Sequence, residues 1–148
     1  MSLSFANLAR SAGAIFAGIG VNIVLSLALD GLFQGLGILP PTGQPMSETL
    51  HLLPFTYRVV IAIGGFYVTA RLAPKRPAVH AFTLAAIAFA LTVATTIASW
   101  NGAQAVQPHW FQVAMLTLLF PMAWLGARLA TRRGAGPLAG RRQGGVLA

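Results

Sequence analysis

PAVHAFTLAAIAFALTVATTIASWNGAQAVQPHWFQVAMLTLLFPMAWLGA, residues 77–127, decides the fold of this chain. The segment is 51 residues long and contains no Asp, Glu, Lys or Arg. A hydrocarbon core about 30 Å thick is crossed by about 20 helical residues, so the segment is long enough for two crossings and a short turn. Its polar break lies between Trp100 and Trp110, an aromatic pair typical of a membrane interface. We predict membrane-spanning helices over residues 77–99 and 110–130.

Two more spans are predicted upstream of this segment. Residues 11–29 carry no charged side chain. In residues 54–72, Arg58 and Arg71 have 12 uncharged residues between them, which places their Cα atoms about 19 Å apart along a helix. Side chains that extend toward opposite interfaces lengthen this distance to roughly the hydrocarbon thickness. The sequence therefore predicts an all-α, four-transmembrane-helix bundle.

The composition agrees with a membrane protein. The chain has 148 residues, of which 56% are hydrophobic and 8% charged, and its mean hydropathy is +0.72. Soluble domains contain about 25% charged residues. The absence of cysteine excludes a disulfide scaffold and a cysteine nucleophile. We expect a single domain over residues 1–133, followed by a mobile basic cytoplasmic tail over residues 134–148.

The net charge of +8 is interpreted as a topology signal. With the N-terminus in the cytoplasm, nine of the ten Lys and Arg residues fall on the inner side and Arg58 alone near the outer one. This predicts an N-in/C-in orientation and argues against nucleic acid as a partner. Six basic residues at the inner helix ends are expected to contact anionic lipid headgroups. They are Arg71, Lys75, Arg76, Arg128, Arg132 and Arg133.

The first span has an alternative interpretation as a cleaved signal peptide. Arg10 precedes an apolar stretch, and Ser26-Leu27-Ala28 has the small-x-small pattern of a cleavage site. The apolar run is longer than a usual signal core. The mass of the intact protein decides between the two, because cleavage leaves three spans.

Small residues at helical spacing predict the helix contacts. In span one, Ala14 and Gly18 precede Asn22, Ser26 and Asp30 at four-residue steps. Such stripes let helix backbones approach closely, and polar members can form hydrogen bonds to a neighbouring helix. Span three offers a similar face, so we predict that spans one and three pack together. That face includes Ala85, Ala88 and Thr92. The pair Gly64 and Gly65 permits close contact or a bend in span two.

The polar residues of spans one and two form the candidate site. Asn22 and Ser26 are interpreted as interhelical contacts, with a functional role as the alternative. Asp30 and Arg58 are expected at similar depth near the outer interface, as an ion pair or as part of a proton or cation site with Glu48 and His51. The sequence contains no catalytic motif that we can assemble, and no metal or other cofactor is predicted.

Residues of spans two to four resemble a group of small four-span bacterial inner-membrane proteins to which no activity is assigned. The resemblance rests on Gly65, Ala70-Arg71, Ala73-Pro74, Arg76-Pro77, His80-Ala81, Trp100, Pro108-x-Trp110 and Pro121-x-Ala123-Trp124-Leu125-Gly126. It implies a multi-pass protein of the bacterial cytoplasmic membrane with both termini inside. Span one lies outside the match.

Two functions are compatible with these features. The first is a non-enzymatic accessory or assembly subunit that associates laterally with itself or with a larger membrane complex. The alternative is a small oligomeric transporter or channel with a polar path near Asn22, Asp30 and Arg58.

Overall fold

A computed structural model describes residues 5–100 and 107–134, and these residues form four helices. The helices are α1 (Phe5–Gly35), α2 (Leu52–Leu72), α3 (Pro77–Ser99) and α4 (His109–Gly134), and a short 3-10 turn at Thr49–His51 leads into α2. The described part of the chain contains no strand. All four helices are long and apolar enough to cross a membrane, which confirms the predicted all-α fold class. Residues 101–106, and all but Gly134 of the predicted tail, lie outside the described residues.

Helix α1 is longer than the predicted span. Its 31 residues extend over about 46 Å, beyond the thickness of a hydrocarbon core. The helix ends where Gly37 takes a left-handed conformation at φ +70°, after which the N–H of Ile38 donates to the carbonyl oxygen of Phe33 at 2.9 Å. Asp30 therefore lies inside the last turns of α1 and is held by the helix rather than by a loop.

The connection between α2 and α3 is short and basic. It runs from Ala73 to Arg76, where Arg76 takes a left-handed conformation at φ +51°, and Pro77 begins α3. We call the end of the bundle that contains this connection the basic end. The opposite end contains Asp30, the long connection over residues 36–51 and the start of α4, and we call it the loop end.

Helix α2 lies at the centre of the fold. It packs extensively against α1 and α4, whereas α1 and α3 share only a small contact. The predicted contact between spans one and three exists but is small, and the small-residue face of α1 packs mainly against α2. The reason is that Gly18 of α1 meets Gly65 of α2, where a Cβ would lie 2.9 Å from the Gly18 carbonyl oxygen.

The close helix contacts are made by three glycines. A Cβ on Gly18 would overlap the hydroxyl of Thr69, and a Cβ on Gly126 would lie 2.7 Å from the Cβ of Phe66. Gly64 behaves differently from its neighbour, since a Cβ there meets no atom within 4 Å. Gly64, predicted as a packing residue, therefore makes no close helix contact.

The apolar core has two parts. The larger lies in the middle of the bundle and includes Ala62, Phe66, Leu84, Ala85, Leu119, Met122 and Ala123, with Ala88 packed at its margin. The second, which we call the alanine cluster, comprises Ala70, Ala81, Ala127 and Ala130 near the basic end. Small side chains allow α2, α3 and α4 to approach one another closely there.

Candidate functional site

The candidate site is built around Asp30, at the loop end of α1. Its Oδ1 accepts a hydrogen bond from the hydroxyl of Tyr57, and its Oδ2 accepts one from the Arg58 guanidinium at 2.8 Å. Phe33, one turn further along α1, stacks on the ring of Tyr57 with centroids 5.6 Å apart. Two consecutive residues of α2 therefore donate hydrogen bonds to one carboxylate of α1.

The sequence places Asp30 and Arg58 at similar depth, and the structure brings them into contact. The side chains are 23% and 32% exposed respectively, so the pair is only partly shielded. A charge-assisted hydrogen bond of this kind stabilises both charges near an apolar medium, where an isolated charge is unfavourable. Tyr57 is not predicted from the sequence, although a phenol next to Arg58 in an apolar helix is itself a signal of a polar partner.

Arg58 contributes to the lining of three cavities. The first cavity has a volume of about 470 Å³, the second about 250 Å³ and the third about 410 Å³, and Arg58 lines all three. Its Nε is buried and has no hydrogen-bond partner within the described residues. One residue of α2 is therefore shared by the linings of all three cavities.

The first cavity, which we call the cleft, is lined by α2, α3 and α4. Its polar lining includes Thr92, Thr96 and Ser99 of α3 and Gln112 of α4, and its apolar floor is formed by Met115 and Leu119. Gln112 is only 7% exposed, and its Oε1 has no hydrogen-bond partner in the part of the chain that the structure describes. Its Nε2 donates to Ser99 Oγ at 3.4 Å, near the limit for a hydrogen bond.

The hydroxyl residues of α3 have a different place from the predicted one. Thr92 was grouped with the packing face of span three, but it lines both the cleft and the third cavity. Thr96 and Gln112 are not predicted from the sequence, although hydroxyls at three- and four-residue spacing near a helix end are compatible with a polar lining as well as with packing. Burial of Gln112 depends on how α3 and α4 are spaced, which no local pattern determines.

Asn22 and Ser26 line the third cavity together with apolar residues of the core. Asn22 lies against Gly65, since its Nδ2 is 3.1 Å from the position of a Cβ there. Among residues 5–100 and 107–134, no hydrogen bond joins Asn22 or Ser26 to another helix. Both residues therefore contribute polar atoms to a cavity instead of the predicted interhelical hydrogen bonds.

The second cavity is the mouth of the site at the loop end. Asp30, Tyr57 and the turn at residues 40–44 line it, and His51 closes one side. The imidazole of His51 is buried and lies with its Nδ1 2.9 Å from the Ser47 carbonyl oxygen. Glu48 is exposed and does not line the mouth, so the structure does not unite it with Asp30. Within the described residues no group of three His, Asp or Glu side chains is arranged to hold a metal ion.

The predicted lipid-contacting residues lie at the basic end. Arg71, Lys75, Arg76, Arg128 and Arg132 are all exposed, and the side chain of Arg133 lies outside the described residues. The Arg128 guanidinium sits 4.8 Å from the centroid of the Trp124 ring, in a cation–π contact. These residues surround the basic end of the bundle, and we call them the basic rim. They do not line any of the three cavities.

No family model, curated protein or solved structure matches this chain. Function is therefore inferred from the residues and cavities themselves.

Proposed function

We propose that this chain is a small transporter or channel of the bacterial cytoplasmic membrane that admits a polar solute into its bundle from the loop end. The observation that supports this function is the convergence of the mouth, the cleft and the third cavity on Arg58. Polar cavities among membrane-spanning helices are typical of substrate pathways, because an unsatisfied polar lining is unfavourable in a purely structural bundle.

Transport also requires a path from the third cavity to the basic end. The third cavity is lined by Gly18, Phe66 and Leu84 at mid-bundle, and the alanine cluster packs α2, α3 and α4 together near the basic end. A solute that enters from the loop end and reaches this level would have to cross the packed alanine cluster to leave at the basic end. Passage requires either a second conformation or an oligomer, as in the predicted alternative.

In the proposed orientation the loop end faces outward. The basic rim then lies in the cytoplasm, in agreement with the positive-inside rule and with the implied topology of the resembling proteins. Its exposed arginines would interact with anionic lipid headgroups and hold the bundle at a fixed depth.

A flux assay on the reconstituted protein tests the proposal. The full chain is inserted into liposomes, and swelling is followed by light scattering with a panel of neutral, anionic and cationic solutes against empty liposomes. Thr92→Phe fills the wall that the cleft and the third cavity share, and Ala90→Phe adds a ring at an exposed position two residues earlier in α3. We expect at least one solute to pass, Thr92→Phe to abolish its flux, and Ala90→Phe to retain it.

A role as an accessory or assembly subunit is the second candidate. The observation that favours it is the small buried share of α1 and α3, 11% and 17% of their apolar windows against 33% for α2 and α4. These faces would suit a neighbouring subunit as well as lipid. If no solute in the panel passes faster than in empty liposomes and the protein co-purifies in mild detergent with a stable membrane partner, transport is refuted and this candidate replaces it.

A further inference from the structure

The third cavity is open to the outside of the bundle between α1 and α3. Its lining includes three large apolar residues that are well exposed, Ile23 of α1 at 54% and Ile87 and Leu91 of α3 at 41% and 64%. The same cavity reaches Phe66 and Leu119, which are buried. Because α1 and α3 share only a small contact, the gap between them connects the surface of the bundle with its core.

This opening lies at a level where a membrane is hydrocarbon. All four helices are long and apolar enough to cross a membrane, and Ile87 lies near the middle of α3. The core of a bilayer contains no water to fill such a space. An empty space would deprive its apolar lining of van der Waals contacts. The occupant is therefore expected to come from the membrane itself.

The polarity of the lining changes along the bundle axis. On three helices, a polar residue toward the loop end and a residue without a polar side chain toward mid-bundle are eight positions apart. These pairs are Ser26 and Gly18 of α1, Arg58 and Phe66 of α2, and Thr92 and Leu84 of α3. Eight helical residues extend over about 12 Å, and half of a hydrocarbon core is about 15 Å thick. The cavity therefore matches a lipid of the leaflet at the loop end, whose polar group lies at the interface and whose chains extend toward the midplane.

Two polar side chains of α1 remain available in this cavity. Within residues 5–100 and 107–134, neither Asn22 nor Ser26 forms a side-chain hydrogen bond. Neither has a fully buried unpaired atom, in contrast to Arg58, so their polar atoms are accessible. An unpaired amide or hydroxyl in a membrane is unfavourable, and the ester oxygens of a lipid can accept hydrogen bonds from both.

The charge at the polar end of the cavity is balanced. Arg58 is the one charged residue in the lining among the described residues, and it is paired with Asp30 at 2.8 Å. An anionic headgroup would compete with Asp30 for the guanidinium. A zwitterionic headgroup brings one charge of each sign, so it does not require the pair to separate.

We propose that the third cavity holds one acyl chain of a zwitterionic diacyl lipid from the leaflet at the loop end. The chain enters between α1 and α3 and extends toward Phe66 and Leu84, with the ester oxygens near Ser26 and Asn22. This inference goes beyond the proposed function and does not depend on it, because the mouth and the cleft stay free for a solute. A solute that moves on into the third cavity has to displace the chain.

Photolabelling of the full chain in phosphatidylcholine liposomes tests the proposal. A small fraction of the lipid carries a diazirine near the end of one acyl chain, and mass spectrometry identifies the labelled residues. Phe66 and Leu84 are buried, so a chain labels them only if it enters the bundle, whereas Val60 on the outer surface of α2 reports the lipid that surrounds the protein. We expect all three residues to be labelled. Phosphatidylglycerol with the same diazirine should label Phe66 and Leu84 less than phosphatidylcholine does.

Two phenylalanine substitutions in α3 provide a matched pair. Ala88 lines the third cavity, so Ala88→Phe fills it, whereas Ala90→Phe adds the same ring at an exposed position outside the cavities. We expect Ala88→Phe to reduce the labelling of Phe66 about tenfold and Ala90→Phe to change it less than about twofold. If Ala88→Phe does not fold, Ile87→Trp at the exposed edge of the cavity replaces it with the same expected reduction.

Three outcomes would overturn the inference. The first is labelling confined to exposed residues such as Val60, and the second is labelling of Phe66 that neither Ala88→Phe nor Ile87→Trp reduces. The third is a disulfide between two copies of Ile87→Cys with Phe66 unlabelled, which assigns the opening to a second copy. Stronger labelling by phosphatidylglycerol overturns the zwitterionic class. Solute flux is measured separately, so each of these results is distinguishable from a failure of the proposed function.

Discussion

Replacement of Gly65 by Ala tests whether close approach of α1 and α2 holds the bundle together. A Cβ at this position would lie 2.9 Å from the carbonyl oxygen of Gly18 and 3.1 Å from Nδ2 of Asn22. The nearer atom belongs to the backbone of α1, so it yields only if the helix moves. Overpacking of this kind destabilises a protein by about 1–3 kcal/mol.

The neighbouring residue supplies a matched control. A Cβ on Gly64 meets no atom within 4 Å, although it lies in the same turn of α2. Both substitutions gain the same helix propensity, about 0.8–1.0 kcal/mol in a soluble helix, so this contribution cancels when the two variants are compared. We expect Gly65→Ala to be less stable than Gly64→Ala by about 1–3 kcal/mol, or about 5- to 150-fold in the unfolding equilibrium constant.

Unfolding in mixed micelles, followed by circular dichroism as the fraction of denaturing detergent rises, measures this difference. Gly18→Ala serves as a second perturbation of the same contact from α1, because its Cβ would overlap the Thr69 hydroxyl. Equal stability of Gly65→Ala and Gly64→Ala would refute the close approach of the two helices at this level.

Three further predictions concern the ion pair, a buried hydroxyl and the topology. Asp30→Asn leaves the Arg58 charge without its partner and should lower the free energy of unfolding by about 1–3 kcal/mol. In a double-mutant cycle, the double variant with Arg58→Gln should recover most of this loss. Additive effects of the two substitutions would show that the pair is not coupled. Thr69→Val removes a fully buried hydroxyl oxygen without a described partner. In thermal unfolding experiments, the free energy of unfolding should therefore stay constant or rise by up to about 1 kcal/mol. A clear loss of stability would indicate a partner for that hydroxyl. Because the chain has no native cysteine, single cysteines introduced at Gln44 and Lys75 report the topology. An impermeant thiol reagent should label the first in intact cells and the second only after permeabilisation. The reverse pattern refutes the N-in/C-in orientation.

The sequence predicts the helices well because their determinants are local. Uncharged runs and the prolines at residues 74 and 77 define where apolar helices lie and where α3 begins. Helix α1 continues beyond the predicted span, which stops at residue 29 before the charge of Asp30. A single charge does not end a helix when a second helix offers it a guanidinium and a phenol, and α1 continues until Gly37 supplies a left-handed turn.

The helix neighbours and the cleft depend on geometry that local patterns do not contain. The small face of α1 meets α2, because Gly18 and Gly65 allow a closer approach than the alanines of α3 do. Gly126 gives no signal in the sequence that distinguishes it from Gly64, yet one touches Phe66 and the other faces open space. Depth matching was sufficient to pair Asp30 with a residue 28 positions later, because both helices are long and apolar enough to cross a bilayer.

The uneven distribution of small residues along the bundle has a mechanical consequence. The helices pack closely through the glycine contacts at mid-bundle and through the alanine cluster near the basic end. Near Arg58 the cavities make the packing less dense. The stiffness of the bundle is therefore expected to vary along its axis. Bending is therefore expected mainly in the part of the bundle that contains the cavities, between the alanine cluster and the Asp30 contact.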